Sequence, residues 1–118
     1  MRFLLLAAAI AFIGASPAAE NPAKTAQFTA FFTTILAGHV PIQGVTPQVE
    51  QGFTPALVAQ IDGTLAPYGK FQKLQYVGED SVQGYERYHY TAVFDKGSQN
   101  FLFVLDSTGN IAGFFKDE

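Results

Sequence analysis

The chain has 118 residues, no cysteine, two histidines and a formal net charge of −3. This acidic balance argues against binding of nucleic acid or of an anionic membrane surface, because both attract clustered basic residues. The length is sufficient for one domain. Without cysteine, packing alone is expected to hold the fold.

Residues 1–18 are predicted to be a secretory signal peptide. Arg2 precedes a short apolar run, and the small residues Ser16 and Ala18 follow it. The run is about a dozen residues, shorter than the ~20 that span a bilayer, so we expect cleavage after Ala18, with Ala19 as the alternative position. The mature chain, residues 19–118, is predicted to be a single exported domain, periplasmic or secreted, without further membrane association. Its six basic and ten acidic residues give a net charge of −4.

The first helix is predicted to begin at Pro22 with Asn21 as its cap, and to end at Gly38. Apolar residues recur along it with the spacing of one helical face. These are Phe28, Phe31, Phe32, Ile35 and Leu36.

Two further pairs of a capping threonine and a proline follow. Thr46-Pro47 predicts a short helical turn inside the loop 39–52, and Thr54-Pro55 predicts a second full helix. Asp62 follows the inward Ile61 and is expected to face water. The apolar side of this helix is Leu57, Val58, Ile61 and Leu65.

The rest of the chain predicts four strands. Residues 71–77 form the first, with Leu74 and Tyr76 inward, and residues 79–81 form the turn after it. Alternation then indicates strands over 83–94, 99–105 and 111–116, with Asp95 and Asp106 in the turns. The predicted core face of the last three strands is Tyr88, Tyr90, Ala92, Phe101, Phe103, Leu105, Ile111 and Phe115.

Two registers compete for the hairpin at residues 95–98. A Lys96-Gly97 loop pairs Tyr88 with Leu105, whereas a three-residue loop over 95–97 puts His89 opposite Phe103. Burial favours the first, since a one-residue slip exchanges the two faces. In the last hairpin, a loop over 107–109 predicts three pairs: Leu105 with Ile111, Phe103 with Gly113, and Phe101 with Phe115.

Helices followed by an antiparallel meander indicate an α+β fold. Four features of the chain resemble the nuclear transport factor-like superfamily. These are the Ala/Phe-rich first helix that ends in Gly38, the helix start at Thr54-Pro55, and the segments 68–71 and 106–114. More narrowly, the chain is similar to small exported bacterial domains of unknown function in that group. The resemblance implies helices packed on a curved antiparallel sheet of about four strands, a cone with a pocket at its open end.

A ligand pocket in such a cone is predicted to be lined by aromatic residues, although tyrosine is also an ordinary core residue. The candidates are Phe32, Tyr68, Tyr76, Tyr88, Tyr90 and Phe103.

The sheet face away from the helices is a candidate interface, because apolar residues there exceed what a solvated face carries. Either a second copy of the chain pairs through it, or the loop 39–52 covers it. The candidates are Arg87, His89, Leu102, Val104 and Phe114.

No catalytic residue, metal ligand or cofactor motif is predicted. The two histidines lie far apart in the sequence, and the serines occupy turns without a nucleophile-elbow context. The sequence therefore favours a non-catalytic domain that binds a partner protein or a small apolar ligand. The resemblance supplies an alternative, a small cofactor-free isomerase or dehydratase that uses the cone pocket.

Overall fold

The fold is described for residues 19–117 of a computed structural model, so the predicted signal peptide lies outside the described residues. Within these residues three α-helices precede four antiparallel strands, and the strands lie in the order β1-β2-β3-β4. This confirms the predicted α+β class. The elements are α1 Pro22–Leu36, α2 Pro47–Gly52, α3 Pro55–Leu65, a 3-10 turn Ala66–Tyr68, β1 Phe71–Val82, β2 Tyr85–Phe94, β3 Gly97–Leu105 and β4 Ile111–Lys116.

Each helix begins as its sequence predicts. The Asn21 side chain accepts hydrogen bonds from two backbone N–H groups in the first turn of α1. Thr46 and Thr54 each accept one at the start of α2 and α3. Capping of this kind typically contributes ~1 kcal/mol per helix, because it satisfies N–H groups that have no partner within the helix. Gly38, at φ 85°, follows α1 in the left-handed conformation.

The helices cover one face of the sheet, here called the inner face. Four of the five residues in the predicted apolar stripe of α1 are buried there, and Leu36 is partly buried. Phe28 stacks on Phe103 with ring centroids 4.7 Å apart. Aromatic pairs of this geometry add to the burial of their area. The most completely buried side chains are Tyr90, Phe28, Phe32, Phe103, Ile35, Leu105, Ile111 and Val58.

The predicted turn at residues 79–81 is wrong, because β1 continues to Val82. The chain instead turns at Gln83 and Gly84, whose φ angles of 52° and 86° are those of a tight hairpin turn with two left-handed residues. The acidic residues that suggested a turn lie within an exposed stretch of strand.

The predicted register of the β2–β3 hairpin is also wrong, by two residues. The turn is Asp95-Lys96, so Tyr88 pairs with Phe103 and Tyr90 with Phe101. A two-residue shift leaves every side chain on its predicted face. The turn is fixed from outside the hairpin, since the backbone N–H groups of Asp95 and Lys96 donate to carbonyls of residues 70 and 68 at 2.9 and 2.8 Å.

The β3–β4 hairpin begins in the predicted register, with Leu105 opposite Ile111, but a bulge at Ala112 then shifts it by one residue. Beyond the bulge Phe103 lies opposite Phe114. The prediction that Phe115 belongs to the core and Phe114 to the other face is therefore wrong. Phe115 is 57% exposed.

Candidate functional site

The candidate site is a cleft between α3 and the inner face of β3 and β4, called the α3 cleft below. One side of it comes from α3, where Leu57, Ile61 and Leu65 recur every four residues and so lie along one helical face. The Thr54 hydroxyl, which accepts from the Leu57 backbone N–H at 3.2 Å, fixes the start of this row.

The floor of the α3 cleft is aromatic. Phe101 and Phe114 stack with ring centroids 4.9 Å apart and an interplanar angle of 23°. Phe53, in the link between α2 and α3, lies 6.2 Å from the Phe114 ring and closes one end. The cavity has a volume of about 290 Å³, at the lower end of the ~300–1,000 Å³ found for ligand pockets.

Polar side chains border this apolar floor on two sides. Gln60 and Thr64 come from α3 and Tyr68 from the 3-10 turn, while Gln99 and Lys116 come from the sheet. Gln60 and Thr64 are four residues apart, so they form a polar row beside the apolar one. The arrangement can bury an apolar body and offer hydrogen bonds to one polar end of it.

Of the six aromatic residues predicted to line a pocket, Tyr68 lines the α3 cleft. Phe32, Phe103 and Tyr90 are fully buried, and Tyr88 is nearly so. The Tyr90 hydroxyl shares a 2.7 Å hydrogen bond with that of Thr25 in α1. These aromatic side chains form the core between α1 and the sheet.

Tyr76 and Tyr88 each donate a hydrogen bond to a glutamate at 2.9 Å, Tyr76 to Glu79 and Tyr88 to Glu86. Burial and then these hydrogen bonds raise the pKa of Tyr76 to about 12 and raise that of Tyr88 as well. Both hydroxyls therefore stay protonated at neutral pH and act as hydrogen-bond donors at the edge of the core.

A second groove, of about 510 Å³, lies on the other side of α3, where Asp62 borders it beside Phe71 and Phe94. One Asp62 carboxylate oxygen is buried without a hydrogen-bond partner, and burial raises the pKa of this group. The prediction that Asp62 faces water is thus only partly right. The missed signal was that Asp62 also follows Val58 at the spacing of one helical turn, and Val58 is fully buried.

The other face of the sheet, the outer face, carries a charged cluster defined by Asp80, Arg87, His89 and Asp117. Arg87 contacts Asp80 through two hydrogen bonds of 2.6 and 3.0 Å. The two His89 ring nitrogens lie 3.3 Å from an Asp80 oxygen and 2.7 Å from an Asp117 oxygen. The cluster therefore joins β1 and β2 to the residue that follows β4.

The electrostatics of this cluster favour the charged forms. Hydrogen bonds from Arg87 and then His89 lower the pKa of Asp80 to about 2. Partial burial lowers the pKa of His89, but hydrogen bonds to Asp117 and Asp80 outweigh it and leave that pKa raised. His89 thus gains a positive charge more readily than an isolated imidazole.

Four of the five candidate interface residues lie on the outer face. Leu102 and Val104 are half-buried there, between the strands that carry His89 and Phe115. Phe114 does not belong with them, because the bulge turns its ring inward, where it contacts Phe31, Phe32 and Phe53. Phe115 takes its place on the outer face.

The loop 39–52 lies mainly along the edge of β4. Val45 forms a parallel bridge with Ile111, whose backbone exchanges hydrogen bonds of 2.7 and 2.9 Å with Gly44 and Thr46. Thr46 and Gln48 border the outer face near Phe115 without covering its ring.

Within residues 19–117, no group of three or more His, Cys, Asp or Glu side chains is placed to hold a metal ion. None of the described helices combines the length and the hydropathy needed to cross a membrane. Comparison of the chain with protein-family models, with curated proteins and with solved structures finds no match.

Sequence reasoning missed the polar border of the α3 cleft. The row of Gln60 and Thr64 could have been found from its four-residue spacing beside Leu57 and Ile61. The inward position of Lys116 could not, because it depends on the bulge at Ala112.

Proposed function

We propose that the protein is a non-catalytic domain that binds a small apolar ligand in the α3 cleft. The observation that carries the proposal is the stacked pair Phe101 and Phe114, which forms an apolar floor beneath a border of polar side chains. Small-molecule sites usually combine an apolar lining with a few polar groups that orient the ligand. The helix-on-sheet architecture also accords with the nuclear transport factor-like superfamily that the sequence resembles.

Binding is tested with 1-octanol, a neutral apolar probe, by titration into isotope-labelled protein. We expect shifts in the backbone amide NMR signals of Leu57, Ile61 and Phe101, which lie along the cleft. Thr64→Trp should weaken binding several-fold, because Thr64 is an exposed residue at the border of the cleft and an indole at this position would fill the cleft. Ala59→Trp is the matched control, since Ala59 is an exposed residue of α3 outside the cleft.

Two results would refute the proposal. One is that the folded wild-type protein shows no localised shifts near the solubility limit of octanol. The other is that Thr64→Trp binds octanol as tightly as Ala59→Trp does.

The alternative function, a small isomerase or dehydratase, requires an acid or base within reach of a bound substrate. Among the described residues, the lining of the α3 cleft has Tyr68 and Lys116 as its ionisable groups and includes no carboxylate. Asp62 lies in the neighbouring groove. The alternative therefore stays a prediction from the resemblance, and the binding proposal is the one the cleft supports better.

We also propose that two copies of the chain pair through the outer face. Phe115 supports this, because it is largely exposed and lies beside Leu102, its partner across the β3–β4 pair. The face carries both signs of charge in the cluster around His89, so two copies related by a two-fold axis can place unlike charges together.

Light scattering tests this pairing. We expect a dimer for the wild-type protein at high micromolar concentration and a monomer for Leu102→Lys combined with Phe115→Lys. Val77→Lys provides a control, since Val77 is an exposed apolar residue at the bulge of β1. A monomeric wild type would refute the pairing and leave the α3 cleft unaffected.

Export completes the proposal. It rests on the apolar run after Arg2 and on Ser16 and Ala18, all within residues 1–18. Intact-mass measurement of protein from its native host should find a chain that begins near Ala19. Full-length chain recovered from the cytoplasm would contradict it.

A further inference from the structure

The groove on the other side of α3, called the Asp62 groove below, is bordered by a carboxylate that no other described residue pairs with. One Asp62 oxygen is buried without a hydrogen-bond partner. Within residues 19–117, Asp62 forms no ion pair. Burial raises the pKa of Asp62, and no cation in that range opposes the effect. Because buried polar groups in folded proteins are nearly always paired, this oxygen is a reason to look for a ligand.

The walls of the Asp62 groove are mainly apolar. Leu36 and Ala37 come from the end of α1, and Leu65 comes from α3. The rings of Phe71 and Phe94, whose centroids lie 5.6 Å apart, come from the sheet. The volume of about 510 Å³ is within the ~300–1,000 Å³ range of ligand pockets. The groove can therefore hold an apolar group the size of an aromatic ring beside the carboxylate.

Two further features of the groove favour a positive charge. It lies at the C-terminus of α1, and the C-terminus of a helix carries a partial negative charge. The last turn of α1 contains no basic residue that would offset this charge. The half-buried ring of Phe71 also attracts a cation that lies over its face.

The charged groups of the chain do not supply this cation. Lys70 is the one basic residue in the described lining, but it is exposed and forms no ion pair with Asp62. A metal ion is a less suitable partner than an organic cation. Such an ion needs several oxygen or nitrogen ligands, whereas Asp62 is the single carboxylate of this lining and no histidine belongs to it.

We infer that the Asp62 groove binds a small organic ammonium ion. Its positive head lies against the Asp62 carboxylate, and its apolar body lies on the rings of Phe71 and Phe94. Because a carboxylate shares its charge between both oxygens, a cation that reaches either one stabilises the buried oxygen as well. An anionic ligand would be repelled by Asp62, and a neutral alcohol would leave its charge unpaired. This site is separate from the α3 cleft and goes beyond the proposed function.

Three probes with one aromatic ring test the charge of the head group. They are benzylamine, which is protonated at neutral pH, benzyl alcohol and benzoate. NMR titration measures their dissociation constants, with the backbone amide signals of Ala37, Gly69 and Phe94 as reporters of the groove. We expect benzylamine to bind about two- to fivefold more tightly than benzyl alcohol, the range that a partly exposed ion pair gives. Benzoate should bind most weakly, and added salt should reduce the preference for benzylamine.

Three variants test the carboxylate itself. Asp62→Asn should abolish the preference for benzylamine and leave the affinity for benzyl alcohol unchanged, because it removes the charge and keeps the shape of the side chain. Glu50→Gln is the matched control, since it removes one negative charge from an exposed residue of α2 that does not line the groove. Lys70→Gln should raise the affinity for benzylamine, because it removes a like charge from the border.

The inference is overturned if benzyl alcohol binds the groove as tightly as benzylamine, or if the preference survives in Asp62→Asn. A preference that appears only in Lys70→Gln also overturns it, because Lys70 would then be the partner of Asp62 in the wild type. Shifts confined to Leu57 and Phe101 would place the probe in the α3 cleft, which contradicts the inference and leaves the proposed function intact. Conversely, if octanol does not bind the α3 cleft while benzylamine binds the Asp62 groove, the proposed function fails and the inference stands.

Discussion

The two faces of one sheet are stabilised in different ways. On the inner face, Phe103 is fully buried and its ring contacts those of Phe28 and Phe114. On the outer face, Phe115 is largely exposed, and the charged cluster around His89 ties the strands together. The inner face thus depends on apolar packing, which carries no charge to titrate or to screen, whereas the outer face depends on charge, which responds to pH and to screening by salt.

The largest expected effect compares two phenylalanines on opposite faces. Phe103→Ala should lower the free energy of unfolding by about 3–5 kcal/mol, because it removes a buried ring and leaves a cavity. Phe115→Ala should cost less than ~1 kcal/mol, since most of that ring already contacts water. Urea denaturation of the two variants measures the difference. Equal losses would mean that the outer face is as well packed as the inner one.

A smaller effect concerns the carboxylate of Asp62, which lies on α3 beside the apolar residues Phe71 and Phe94. Asp62→Asn should raise the free energy of unfolding at neutral pH by about 1 kcal/mol, because an unpaired buried carboxylate oxygen then loses its charge. Burial raises the pKa of Asp62, so the folded chain binds the proton more tightly than the unfolded chain and this group favours folding at acid pH. The advantage of Asp62→Asn should therefore shrink on acidification.

The control for Asp62 is Gln60→Glu, which adds a carboxylate to the exposed side of the same helix. It should leave stability within ~0.5 kcal/mol, as surface changes usually do. An Asp62→Asn variant less stable than wild type would show that the carboxylate has a stabilising partner.

The smallest effect is a pH dependence on the outer face. The pKa of His89 in the folded chain is raised above its ordinary value of 6.5. The stabilisation that protonated His89 gives to the fold is therefore complete below pH 6.5, and it is lost as the pH rises through the pKa of the folded chain. Asp80 and Asp117 face His89, with Arg87 beside them. The free energy of unfolding of the wild type should fall by ~0.2–1 kcal/mol between about pH 5 and pH 8, relative to that of His89→Gln.

Two observations would count against this role of His89. One is that both proteins show the same pH profile in chemical denaturation. The other is that the difference persists in Asp117→Asn, which should remove most of it because the closest contact of the imidazole is lost.

Local sequence signals predicted the elements well because their physical causes are local. The three helix starts follow from a capping side chain and a proline within two residues, and the α1 stripe follows from its spacing. The prediction of which residues of β2 and β3 face inward was also correct. Alternation fixes the face of a residue but not its partner, so the two-residue error at Asp95-Lys96 could not be detected from the pattern.

The remaining differences depend on contacts between distant segments. The Asp95-Lys96 turn is held by carbonyls of residues 68 and 70, and the start of β4 is held by residues 44 and 46. Neither contact leaves a periodic trace in the sequence. The α3 cleft also depends on contacts between distant segments. It is the space between Leu57 and Ile61 on one side and Phe101 on the other, and tertiary packing sets the width of that space.

The bulge at Ala112 decides which of two identical side chains is buried. Phe114 and Phe115 differ only in position, and the extra residue between the Leu105–Ile111 and Val104–Gly113 pairs places Phe114 inward. Removing Ala112 would leave Val104 opposite Gly113, so both rings would keep their faces. A strand that kept Ala112 and paired regularly would instead exchange the two rings and carry Lys116 to the opposite side of the sheet. One backbone irregularity thus selects the aromatic floor of the cleft and the outer surface together, with no change in amino-acid composition.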